Sequence, residues 1–411
     1  MMKMINKDKI WNYAKWILFF VVLHSFGAWF FWGINKFIVN GIAFFTCVIL
    51  ATLGQKRIQE NCIWWFIIYA FSFLLISFRN GIPNLNGLLG FILKLYPIGV
   101  FFLLKPSYKH DFLLLLRKGI AIILAISLIT WILFLIGVPL PYTQMTYGTI
   151  NDEIQYYFHN YYVFLLNRNT ILDIILSRFQ SIFIEPGYLG CLLSLLLYNG
   201  RFILKKNYEN IIYLIALLFT FSLAGYLLTA AGFIATKLEK NNRRIIWLIT
   251  IIITVIGINM VAQSWNNGDN VLNQYVIGRL QYENGTGFSG YNRSSEGTVD
   301  YFWDYFVRGD KLWLGGYSYS DYSSFYRSEG EVSAYSYIMQ YGLFAFLGLF
   351  FYFYYPFIKN VKNRFEFFCI GSIVFLTFAQ TIHMTHSFMY VLLYVACVND
   401  IEYYPNNKRK I

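Results

Sequence analysis

A chain of 411 residues that is 57% hydrophobic, 21% aromatic and only 13% charged stands far from a soluble domain, in which about a quarter of residues are charged. Apolar runs long enough to cross a bilayer recur along the whole length, which excludes an ordinary soluble protein and predicts an all-α polytopic membrane protein. The net charge of +12 would suggest nucleic acid in a soluble chain, but its distribution reads here as topology.

The first apolar run covers residues 16–32. It follows a basic start and no small-x-small cleavage site comes after it, so the expectation is an uncleaved span. Further spans are predicted over 37–53, 62–78, 87–104 and 119–137. A polar, Tyr-rich segment over 138–181 follows, then a span over 186–200. The block 210–238 reads either as one tilted helix or as a hairpin broken at Ser222-Leu-Ala-Gly225. After it come a span over 245–261, a second polar segment over 262–334, and spans over 335–355, 366–381 and 386–399.

Charge selects the hairpin. With a cytoplasmic N-terminus and about 12 spans, 23 of the 33 Lys and Arg fall on inner loops, and 13 of the 21 acids fall outside. That is the positive-inside pattern on every inner loop. A single helix at 210–238 would move the later basic loops outside. Both termini are then cytoplasmic, and 138–181 and 262–334 are large outward loops of one integral membrane domain, 1–411. The second loop holds five basic residues against nine acidic ones, so nucleic-acid binding finds no support. Its Trp265, Trp303, Trp313 and nine tyrosines argue against disorder. A short amphipathic helix is predicted from Ser294 or Ser295 to Gly309, with Val299, Phe302, Trp303 and Phe306 on one face. A similar amphipathic piece is expected near 151–166.

The chain carries no phosphate-binding glycine loop, no dinucleotide fingerprint, no Asp-x-Asp in an aqueous loop and no HExxH. Its five cysteines, Cys47, Cys62, Cys191, Cys369 and Cys397, form neither CxxC nor a metal-ligand spacing. No metal or cofactor is expected. A membrane enzyme facing outward without a nucleotide site must take an already activated, lipid-borne substrate.

Charges at membrane depth need water, a partner or a ligand. Arg178 and Glu185 stand seven residues apart, just before Pro186-Gly187 at a predicted helix start. One reading is an arginine snorkelling to headgroups and a glutamate favoured by the helix dipole. The other is a guanidinium fork on phosphate and a carboxylate that positions or deprotonates a hydroxyl. Outer-loop arginines have no topological role. Arg279 and Arg293 flank Gly285, Gly287 and Gly290 and are candidates for an anionic ligand; Arg308 and Arg327 also fit pairing with the loop's own acids. Lys94 lies near the middle of a span, where snorkelling or a polar cavity would serve it. His383 and His386, at the outer end of a late span, fit interfacial or proton-transfer roles. The outer tyrosines and tryptophans suit an interface belt or a sugar-binding surface.

Four motifs now align with a known family. They are Arg178-Phe-Gln-Ser-Ile-Phe-Ile-Glu185-Pro186-Gly187-Tyr-Leu-Gly190, Leu217-Leu-Phe-Thr-Phe-Ser222-Leu-Ala-Gly225, Leu312-Trp-Leu-Gly315-Gly316, and Glu331-Val-Ser-Ala-Tyr335-Ser-Tyr-Ile-Met-Gln-Tyr-Gly342. Their order resembles bacterial O-antigen and capsular-polysaccharide repeat-unit polymerases (Wzy-type), of the O-antigen ligase and polymerase superfamily. The resemblance covers the second half of the chain by motif and the first half by hydropathy alone.

It implies a glycosyltransferase C-like bundle in the bacterial cytoplasmic (inner) membrane, with the site facing outward. Donor and acceptor would be undecaprenyl-pyrophosphate-linked oligosaccharides, and membrane lipids and a chain-length regulator would be partners. Arg178 and Arg279, with Arg293, would handle the pyrophosphate; Glu185 would serve the acceptor hydroxyl, with Glu331 and His383 as alternatives. Arg308 and Tyr335 would contact substrate. Arg279 and Gly290 fit the family's Arg-x10-Gly spacing, whereas Arg178 does not, because residue 189 is leucine. Ligases resembling this chain place a histidine where Glu331 stands, which favours polymerase over ligase. A flippase or transporter is the rival class, but no internal repeat of the transporter kind is visible.

Overall fold

The computed structural model describes residues 7–54, 106–147, 156–167, 178–205 and 207–240, the stretches 259–270 and 272–277, and isolated short pieces elsewhere. Contacts divide the chain into two units interleaved in sequence. One comprises Met1–Val21, Lys36–Lys109 and Tyr282–Tyr394; the other comprises Val22–Asn35, His110–Gln281 and Val395–Ile411. The described helices are α1 (Lys7–Ser25), α2 (Lys36–Gly54), α3 (Pro106–Leu135), α4 (Pro186–Asn199), α5 (Tyr208–Thr220) and α6 (Leu223–Lys240). The described strands are β1 (Thr143–Tyr147), β2 (Tyr156–Asn160), β3 (Leu165–Asn167), β4 (Tyr282–Glu283) and β5 (Gly287–Phe288).

In the first unit Trp11 stacks on Tyr108 at 4.6 Å, and β4 and β5 form an antiparallel pair. The amides of Leu343 and Phe344 donate to the carbonyls of Leu312 and Trp313. Helix α2 is apolar on both sides. Val39, Ala43, Cys47 and Leu50 are buried, while Ile38, Ile42, Phe45 and Ile49 are exposed at the same helical spacing.

The second unit is built around α4, whose residues 189–198 are all buried. A helix apolar all round needs neighbours on every side. Helices α5 and α6 both pack against it, and small residues set how closely. A Cβ on Gly190 would lie 2.7 Å from Ser222, and one on Gly232 would lie 2.0 Å from the Tyr198 ring. Ser194 Oγ sits 2.8 Å from the Gly190 carbonyl, 2.9 Å from that of Gly225 and 2.8 Å from Thr229 Oγ1. Small residues that let backbones approach, with hydroxyls bridging them, are the usual means of helix association in lipid.

The block 210–238 is two helices. Helix α5 begins at Asn207, whose side chain accepts from the Asn210 amide, and ends where Phe221 turns left-handed. Ser222 then starts α6, its hydroxyl accepting from the Gly225 amide at 3.2 Å. Among the described residues one helical stretch, His110–Leu135, is long and apolar enough to cross a membrane; Phe37–Leu50, Tyr208–Thr220 and Leu223–Thr236 are apolar but shorter.

Three expectations need correction. The amphipathic piece near 151–166, expected as a helix, contains strands instead: β1, β2 and β3 form an antiparallel sheet in that order. The burial of β2 alternates, with Phe158 and Asn160 buried, and Tyr-Tyr-Phe suits a pleated, half-buried surface. The first polar segment therefore carries sheet among its described residues. Next, α1 runs from Lys7 to Ser25 and not over 16–32. The amides of Gly27 and Ala28 donate to the carbonyls of His24 and Leu23, a Schellman stop that needs the left-handed Gly27 (φ 70°). Finally, α3 starts thirteen residues before the expected 119, at Pro106, because it admits Arg117 into its buried side. The helix predicted over 294–309 lies outside the described residues, apart from exposed Arg308.

Candidate functional site

The segment 178–184 ties the second unit together. The Phe179 amide donates to the Phe219 carbonyl, the Leu165 amide to the Ser181 carbonyl, and the Trp29 amide to the Ile182 carbonyl. Ser181 Oγ lies 2.8 Å from Ser127 Oγ on α3, and Ser127 also bonds the Val163 carbonyl at 2.6 Å. Trp131 packs on Phe179 and Phe219. The segment thus meets α3, the β2–β3 turn, the turn after α1 and the end of α5. These contacts hold the segment against several elements at once.

Arg178 is half-buried. Its Nε donates to the Thr220 carbonyl at 3.0 Å and its Nη2 to the Phe221 carbonyl at 3.2 Å. These are carbonyls at the C-terminus of α5, the negative end of that helix. The guanidinium is therefore anchored by its own fold, with Tyr226 within electrostatic reach. Glu185 holds the N-cap position of α4 with extended backbone (φ −136°, ψ 137°), Pro186 following at the first helical position. Its side chain makes no capping hydrogen bond, so its carboxylate does not cap α4. Half-buried, it pairs with no side chain among the described residues. Gly187 beside it borders open space.

The three-stranded sheet adds an aromatic surface. Gln144, Thr146, Tyr157 and His159 share one face by register, and the first three are exposed. Exposed Tyr142 stacks on His159 at 4.3 Å, and the opposite face buries Phe158, Asn160 and Leu165. Flat rings flanked by amide and hydroxyl groups suit the C–H faces and rim hydroxyls of sugars. Behind them Tyr161 stacks on Phe164 at 4.5 Å. Burial, with Tyr142 second, raises the Tyr161 phenol above its usual range, so it remains a neutral donor.

At the other end of α4, roughly 20 Å away for a 14-residue helix, stands Arg117, 4% exposed. Its Nε donates to Glu209 at 2.9 Å, Nη1 to the Leu196 carbonyl at 2.8 Å and to Asn199 at 3.3 Å, and Nη2 to Asn210 at 2.8 Å. The guanidinium also faces the Tyr213 ring. This arginine, counted in the sequence as an inner-loop charge, locks α3, α4 and α5 together.

Of the predicted site residues, Arg178 and Glu185 lie on this one segment. Arg308 is exposed and belongs to the first unit. Arg279, Arg293, Glu331, Tyr335 and His383 lie outside the described residues, as do Lys94, Arg327 and His386. Sequence alone assigns no role to Gln180, Ser127 or Tyr226. Gln180 stood inside the quoted motif, but only the burial of a polar side chain distinguishes it. Among the described residues no cluster of His, Cys, Asp or Glu could hold a metal ion. Comparison with family models, with curated proteins and with solved structures finds no match to this chain.

Proposed function

We propose that the chain is a membrane glycosyltransferase that uses a lipid-linked glycan donor at the outer face of the bacterial cytoplasmic membrane. Within that class it is a repeat-unit polymerase, transferring a growing glycan from undecaprenyl pyrophosphate to the end sugar of a new lipid-linked unit. The observation that carries this reading is the half-buried Glu185 carboxylate, without a side-chain partner among the described residues, next to the segment that fixes Arg178. The membrane setting is supported by exposed isoleucines along α3, at 122, 126, 129 and 132, and by the matching apolar face of α2. An apolar outer face is what a lipid-facing helix presents.

In the reaction the acceptor hydroxyl oxygen forms a bond to the anomeric carbon of the donor sugar. The bond from that carbon to the pyrophosphate oxygen breaks, and undecaprenyl pyrophosphate leaves with the electron pair. Glu185 takes or orients the hydroxyl proton. Arg178 offsets the charge that develops on the leaving group, a role the resemblance also implies for Arg279 and Arg293. The exposed Tyr142 and Tyr157 surface would bind sugars of the lipid-linked glycans.

Deletion of the gene gives the first test. A polymerase leaves surface glycans one repeat long. Long polymer accumulating on its lipid carrier would assign a ligase instead, and repeats trapped at the inner face would assign a flippase.

A further inference from the structure

We infer that Gln180 contacts the substrate directly, donating its amide N–H to an anionic oxygen of the carrier pyrophosphate; this rests on the donor proposed above. Gln180 is 3% exposed, and its Nε2 is enclosed with no hydrogen-bond partner among the described residues. Buried amides in folded proteins are paired, because an unpaired one forfeits its hydration for nothing. Several groups around it are paired. The Arg178 guanidinium is bonded to two carbonyls, the Phe179 amide to Phe219, the Ser181 hydroxyl to Ser127, and the Ile182 carbonyl to Trp29. The Phe183 amide donates to Gln180's own carbonyl. Among the described residues of this segment, Gln180 Nε2 is the enclosed side-chain donor without a partner, which marks it as a group kept for a ligand.

The other enclosed polar atom without a partner among the described residues is Asn273 Oδ1. Asn273 differs, since it is only half-buried and its amide nitrogen is bonded to the Gly268 carbonyl at 2.8 Å. Gln180 has no such second anchor. It lies two residues from the anchored Arg178 and five from Glu185, the two charges assigned to the transfer. A neutral donor two residues from an arginine fits an anionic oxygen, to which a hydrogen bond is stronger than to a neutral one.

The test uses the full-length protein in detergent, with undecaprenyl pyrophosphate as the probe, read by native mass spectrometry, and undecaprenol as the comparator without phosphate. Gln180→Met keeps the volume and removes the donor. It should melt no lower than wild type and bind the carrier about ten-fold or more weakly, with undecaprenol binding unchanged. Gln180→Glu, which replaces the donor by an acceptor, should bind weaker still. Equal carrier binding by wild type and Gln180→Met overturns the inference, as does an affinity loss that only follows a fall in melting temperature. Full carrier binding by Gln180→Glu would make the enclosed atom an acceptor and overturn it too. Failure of the wild type itself to bind the carrier above undecaprenol would overturn the donor reading, and this inference with it.

Discussion

Arg117→Ala is expected to cost about 3–5 kcal/mol of stability, the range for breaking a buried ion pair from one side. From α3 the guanidinium serves four acceptors, two on α4 and two on α5. Its removal strands the Asn210 carboxamide oxygen and the Leu196 carbonyl in a buried site and takes away the cation facing Tyr213. The Glu209 carboxylate can still reach water, with 27% of its side chain exposed, which places the effect toward the lower end of that range. Arg117→Lys keeps the charge, but one ammonium cannot reproduce a fork that reaches Glu209, Leu196 and Asn210 together, so it should recover only part of the loss. Melting of the purified protein in detergent measures this. A variant that melts with wild type would show that α3, α4 and α5 are held by their apolar contacts alone.

For Arg178 the expected effect falls on activity. Losing an electrostatic stabiliser of the transition state typically lowers turnover by about 100-fold or more. Losing a cation from a helix C-terminus costs only about 0.3–1 kcal/mol. Arg178→Ala should therefore melt close to wild type while nearly abolishing long chains in a complemented deletion strain. Arg178→Lys restores the charge without the two-pronged hold on the Thr220 and Phe221 carbonyls, so its ammonium is no longer fixed in place and activity should return only in part. Were chain length to fall in Arg178→Ala only as far as melting does, the arginine would be a helix cap and nothing more.

The local punctuation of the chain was legible before its structure. Pro186-Gly187 marked the start of α4, and Ser222-Leu-Ala-Gly225 marked the break between α5 and α6, because helix starts and stops depend on residues within one turn. What escaped depends on partners far away in sequence. Hydropathy began the fifth span after Lys118, since a run holding Arg117 looks too polar; its neutralising partners lie 79 to 93 residues further on. The strands were missed because so short an aromatic stretch as Tyr156-Tyr-Phe-His-Asn fits helical and strand spacing about equally, and pairing with β1 and β3 decides between them. For the site, Arg178 and Glu185 stood out as charges in an apolar setting. Gln180 did not, because an amide carries no charge to attract notice and its meaning lies in burial without a partner.

A repeat-unit polymerase of the proposed kind should join lipid-linked repeats unaided. Purified full-length protein should therefore be incubated with undecaprenyl-pyrophosphate-linked repeat units in detergent, with a chelator present and no sugar nucleotide. Gel analysis should show a ladder of products growing by one repeat, with undecaprenyl pyrophosphate released for each bond formed. Substrate that remains entirely single-unit in the presence of folded protein would contradict the account.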